Sequence, residues 1–117
     1  MKKFVALYLG SEQARSAWEK LGEAERKQRE QAGMKAWGDW MTTHQKDVVE
    51  HGGPLGKTKK INRQGVSDTK NAVAGYVVVQ AESQDDAAKL FLNHPHFAIF
   101  PGDSVEIMEV LPIPGQR

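Results

Sequence analysis

Residues 72–91 read AVAGYVVVQAESQDDAAKLF. The first half, Ala72 to Ala81, is crowded with β-branched side chains and predicts the strongest strand of the chain. Ser83 follows as an N-cap, with Asp86 three residues on, close to a capping box. Ala87, Leu90 and Phe91 give the next helix, Gln84 to Asn93, one apolar face, and Pro95 stops it. A strand running straight into a capped helix is half of a βαβ unit, and the flanking sequence decides which kind.

Downstream, Ser104 to Leu111 (SVEIMEVL) predicts a last strand, with PIPGQR as a tail. Upstream, NRQGVSDTKN is turn chemistry. Leu55 to Ile61 (LGKTKKI) reads as a modest strand, so it pairs with Ala72–Ala81 as a hairpin with a long basic tip. Before it, Glu23 to Glu50 contains no proline and reads as one long helix that HGGP, residues 51–54, ends. Its first half, EAERKQREQ, is polar and solvated. Its second half carries a stripe, Gly33, Trp37, Trp40, Met41, His44 and Val48, at helical spacing. Gly33 marks either a close approach or a kink. A shorter helix lies between Ser11, an N-cap, and Gly22, a C-cap. Lys3 to Leu9 is a first strand with apolar residues on both faces.

The order is strand, helix pair, strand, strand, helix, strand. This is the split βαβ pattern: an α+β, ferredoxin-like βαββαβ fold with a four-stranded antiparallel sheet and its helices on one face. The other face is left bare and apolar, which predicts a homodimer through the open sheet face. No repeat or linker divides the chain, so residues 1–117 are expected to form a single domain.

Composition narrows the chemistry. The chain has 117 residues, 39% hydrophobic and 26% charged, with a formal net charge of +1 and no cysteine. Thiolate nucleophiles, disulfides and cysteine metal sites are excluded. The charge balance points to neither nucleic acid nor membrane as a partner. MKKFVALYLGSEQA loosely imitates a secretion signal, but the apolar run Phe4–Leu9 is too short and reads better as a strand. No stretch nears the roughly 20 apolar residues of a membrane span. A cytoplasmic protein is the expectation.

GGPLG at 52–56, GYVVVQAES at 75–83 with the DDAAKLF helix, and VEIMEV at 105–110 resemble the YCII-related, or DGPF-domain, family. The resemblance runs from about Trp37 to Pro112. It implies a ferredoxin-like subunit in a dimeric α+β barrel, with a cleft between sheet and helices where a His and an Asp have been proposed as an active site. Some members serve as small-molecule enzymes, for instance in the degradation of ring-chlorinated aromatics. Others are fused to transcription or sigma-factor modules. Where relatives often carry Asp-Pro or Asp-Gly-Pro-Phe, this chain has Asn93-His94-Pro95-His96-Phe97, so no His/Asp dyad carries over.

Histidine is therefore the main proton-handling group. Helical spacing aims His94 inward at a helix C-terminus, where it either handles protons or caps exposed carbonyls. His44 lies on the Trp37–Val48 stripe, as a satisfied core histidine or as the acid–base partner of His94. His96 follows Pro95 in a loop and is expected to be exposed, though it remains a candidate ligand contact. Trp37 and Tyr8 are candidates for a ligand wall, or core. Asp39 faces solvent, His51 decorates a helix end, and Asp103 serves a turn. No His-x-x-x-His or His-x-x-x-Glu spacing supports a metal, and no cofactor is implied. The basic hairpin, Lys57, Lys59, Lys60, Arg63 and Lys70, lacks interleaved aromatics and reads as a solvated edge. Two functions remain open: a small-molecule enzyme or binder with a His-lined cleft, taking a small organic ligand, or a non-catalytic dimeric interaction or sensor module.

Overall fold

The structure is a computed structural model that describes residues 1–115. The chain runs β1 (Lys2–Gly10), α1 (Glu12–Glu19), α2 (Glu23–Thr43), β2 (Val48–Pro54), β3 (Thr58–Asn62), β4 (Gly65–Thr69), β5 (Val73–Ala81), α3 (Gln84–Lys89), α4 (Pro95–Ala98) and β6 (Gly102–Glu109). The main sheet has the order β2-β5-β1-β6, and its neighbouring strands pair antiparallel. This is the ferredoxin-like order, with β3–β4 as a separate two-stranded insertion between the second and third sheet strands.

Alternation along the central strands separates the two faces. Phe4, Ala6 and Tyr8 of β1 lie opposite Val79, Val77 and Gly75 of β5. All six are buried, and they form the core with Trp40, Ala87 and Phe91 from the helical layer. Val5 and Leu7 point the other way, opposite Val78 and Tyr76. They remain only partly buried because the helices pack on the first face. Both serine N-caps expected from sequence are present, whereas Gly22 is not a C-cap: α1 ends on Lys20, and Gly22 is the N-cap of α2. Ser11 Oγ accepts the amide of Ala14 and Ser83 Oγ that of Asp86, each at 3.1 Å.

Most differences from the sequence reading lie in residues 44–69, where the stretch read as a turn also forms β4; α3 in addition stops at Lys89 rather than at Asn93. The long helix stops at Thr43, with His44 as its C-cap, rather than continuing to Glu50. The second sheet strand is then Val48–Pro54, not Leu55–Ile61. Thr42, Thr43, Val48 and Val49 are all β-branched, which weakens a helix and suits a strand. The backbone confirms the handover: Gln80 donates its amide to the Asp47 carbonyl at 2.8 Å, just before Val48 pairs with Val79. Val48 fits the helical stripe by spacing, yet it reaches the same core from a strand. Among the described residues, no helix is long and apolar enough to cross a membrane.

Candidate functional site

A cavity of about 600 Å³ lies between α2 and the ends of β1, β2 and β5. Its room comes from small residues: Gly38 of α2, Gly52 and Gly53 of β2, and Ala74 and Gly75 of β5. Met34, Trp37 and Met41 line it from α2, and Phe100 from beyond α4. Tyr8, Tyr76, His51 and His96 bring polar atoms to an otherwise apolar wall, the usual composition of a small-molecule site. A smaller hollow of about 300 Å³ near Phe91 and Val105 offers Asp103 and Ser104, but these bond to each other at 3.0 Å.

The segment Asn93–Phe97 builds the chemical end of the cavity. α3 ends at Lys89, and Asn93 takes a left-handed conformation at φ 56°, which asparagine tolerates better than most residues. His94 is therefore not at a helix C-terminus. It is the N-cap of α4, and its Nδ1 accepts the backbone N–H of His96 at 3.0 Å. At a helix N-terminus the dipole no longer favours a protonated ring. His94 is fully buried among Tyr8, Trp37, Trp40 and Phe91. Burial lowers its pKa to about 4, helped by the neighbouring charges of His96 and His44.

That burial settles a proton position. Nδ1 of His94 accepts an amide, so the neutral ring carries its proton on Nε2. Nε2 lies 3.4 Å from the Tyr8 hydroxyl oxygen, which must then accept. Tyr8 keeps its own O–H hydrogen, with no acceptor among the described residues, on the cavity wall. Burial raises the Tyr8 pKa, holding the phenol protonated as a donor.

His96 is not the exposed loop residue that its position after Pro95 suggested. It is 7% exposed, because α4 turns it back beneath the end of β1. Its Nε2 lies 2.8 Å from the Leu9 carbonyl and donates to it. The β1 register slips around Leu9 against both neighbouring strands, and such irregularities commonly re-aim groups next to sites. Gly102 packs on the same ring: a Cβ there would collide with the His96 imidazole and carbonyl. With Nε2–H committed, Nδ1 of a neutral His96 is a free lone pair. No buried side-chain nitrogen among the described residues lacks a partner, and Nδ1 makes no bond, so it reaches accessible surface. His96 lines the cavity.

The structure thus brings together Tyr8, Trp37, His94 and His96. The Tyr8 and Trp37 ring centroids are 4.9 Å apart, and each His ring is 5.1 Å from Tyr8. His44 stands apart from the cavity. It caps α2 with its side chain 23% exposed, 3.7 Å from Asp47, and Trp40 lies between it and His94. The pairing of His44 with His94 in one open cleft does not form. Asp39 faces solvent as expected, in an ion pair with Lys35 at 2.9 Å. His51 sits in β2 at the cavity, not at a helix end. Among the described residues, no three His, Asp or Glu side chains group to hold a metal ion. Sequence reasoning missed Phe100, although Gly33 carried the signal: a Cβ there would strike the Phe100 ring.

No protein-family model matches the chain, and no curated protein matches it in sequence. Among solved structures, the chain is similar to the 5-chloro-2-hydroxyhydroquinone dehydrochlorinase of Burkholderia phenoliruptrix AC1100, in complex with 2,5-dihydroxybenzoquinone. The TM-score is 0.54 at 11% identity, with 100% of both chains covered. At that identity the likeness is one of fold.

Proposed function

We propose that this protein binds a small, planar, hydroxylated organic molecule in the aromatic cavity and takes a proton from it. The observation that carries this reading is that two residues lining one apolar-walled space each keep an uncommitted polar group, the Tyr8 hydroxyl hydrogen and His96 Nδ1. A ligand hydroxyl placed between them gives its proton to Nδ1: the O–H bond breaks, an Nδ1–H bond forms, and the resulting oxyanion accepts from Tyr8. His94 touches no ligand in this scheme. It orients the Tyr8 hydroxyl and holds the His96 backbone. His96, rather than the His94–His44 pair expected from sequence, is the base. The fold is shared with a dehydrochlorinase whose structure holds a dihydroxybenzoquinone, which supports a hydroxylated ring as ligand. Distant membership of the YCII-related family, a single domain, a homodimer through the open sheet face and a cytoplasmic location belong to the same proposal.

The test is titration calorimetry and difference absorbance with simple hydroquinones, whose hydroxyls are still protonated at neutral pH. Wild type is expected to bind at least one of them and to shift its spectrum towards the ionised phenol. His96→Gln keeps a donor for the Leu9 carbonyl but removes the base. It should weaken binding about 10- to 100-fold, as loss of a charge-assisted hydrogen bond does, and abolish the spectral shift. Equal binding by the folded variant, or no binding by wild type up to about 1 mM ligand, would sink the proposal and favour a non-catalytic module.

A further inference from the structure

The cavity makes no use of the segment Thr58–Thr69. β3 and β4 form a two-stranded sheet of their own, and every residue in them except Thr58 is exposed. A two-stranded hairpin with nothing packed on it is marginally stable at best in water. Lys59 pairs with Asp68 and Ile61 with Val66 across this arm. Alternation places those four side chains on one face, with Ile61 72% and Val66 69% exposed. The arm therefore presents an apolar pair beside an ion pair, Lys59 to Asp68.

Its charge is lopsided. Residues 57–70 hold five cations against Asp68 alone, a net +4 in a chain of net +1. Residues 82–109 hold six carboxylates against Lys89 alone, a net −5 with histidines neutral. Three of them, Asp103, Glu106 and Glu109, lie on the edge strand β6. Gln84 Nε2 donates to the Ile107 carbonyl at 3.1 Å, which fastens the first turn of α3, with Asp85 and Asp86, beside β6. Glu106 lies opposite Leu7 and Met108 opposite Val5, so both belong to the open apolar face. β2, from which the arm departs, and β6 are opposite edges of the sheet. The basic arm and the acidic edge of one chain do not meet.

We infer that the arm is an interaction surface for a second copy of this chain. Its cations lie along the partner's α3–β6 edge, and Ile61 and Val66 cover part of the partner's open face near Val5 and Met108. The charge complementarity supplies the occupant, and burial of the apolar pair supplies the packing that the hairpin lacks. The inference rests on the dimer proposed above.

Sedimentation velocity on the full chain tests it with charge swaps. Lys60→Glu with Arg63→Glu, or Glu106→Lys with Glu109→Lys, is expected to raise the dimer dissociation constant at least about tenfold at low salt. The four changes together are expected to recover most of that loss. All four substituted positions are exposed, so circular dichroism melts should stay near wild type. A wild-type dimer indifferent to every swap overturns arm docking and leaves the dimer standing. A combined variant as weak as either double variant overturns the match of arm to acidic edge. A monomeric wild type overturns both the arm and the dimer.

Discussion

Protonating His94 would place a charge among Tyr8, Trp37, Trp40 and Phe91, with both ring nitrogens already engaged. The folded ring resists this until its pKa of about 4, whereas the unfolded chain takes up the proton near the ordinary 6.5. Between those values the unfolded state binds more protons, so stability rises with pH. The contribution is intact above pH about 6.5 and drains away as pH falls towards 4, up to about 3 kcal/mol in total. Urea titrations at pH 7, 5.5 and 4.5 should show this loss in wild type and a flatter profile in His94→Asn, which keeps the cap on His96. Parallel profiles would show that His94 is not the group responsible. From sequence, the concentration of proton-handling side chains in FLNHPHF was readable, because two histidines beside one proline are conspicuous. Which histidine faces the cavity was not. That depends on the left-handed turn at Asn93 and on α4 swinging His96 under β1, neither of which leaves a periodic trace.

Elements were readable where periodicity and capping agreed. β5, the start of α3, the first strand and the last strand formed as the pattern predicted, whereas α3 stops at Lys89 rather than at Asn93. The C-terminal end of α2 was misread because Val48 occupies a helical position by spacing and a strand position by chemistry. Helix α2 itself touches the rest of the fold sparingly, with only Gly33 and Trp40 buried along its 21 residues. Trp40 Nε1 donates to the Leu90 carbonyl at 2.8 Å, and Gly33 seats the Phe100 ring. Two glycines of this helix should therefore respond oppositely. Gly33→Leu forces Phe100 away and overpacks, at a net cost of about 1–2 kcal/mol after the gain in helix propensity. At Gly38 nothing lies within 4 Å of an added Cβ, so Gly38→Ala should stabilise by about 1 kcal/mol. Thermal melts of the two variants moving in the same direction would contradict this docking of α2.

At the scale of the whole molecule, the strand order alone implies one helix-covered face and one bare face, and that implication was available from sequence. Tertiary context was needed to place the basic insertion. As part of a sheet hairpin it would merely protect an edge; as a separate arm it extends the surface available to a partner. The bare face itself carries Val5, Leu7 and Val78, only partly buried, and Met108, 45% exposed, in central and edge strands. A monomer gains nothing by leaving these residues in water, and each apolar side chain covered in full contributes about 1.5–3 kcal/mol. Leu7 is the most informative position, since it lies between Tyr76 on β5 and Glu106 on β6. A lysine there finds Glu106 as a cross-strand partner, so the subunit keeps its fold, but two such faces brought together must bury paired cations. Wild type should sediment at twice the 13.0 kDa of the chain, and Leu7→Lys as a single chain with an unchanged far-UV spectrum. A Leu7→Lys protein that remains a dimer would move the interface off the open sheet face.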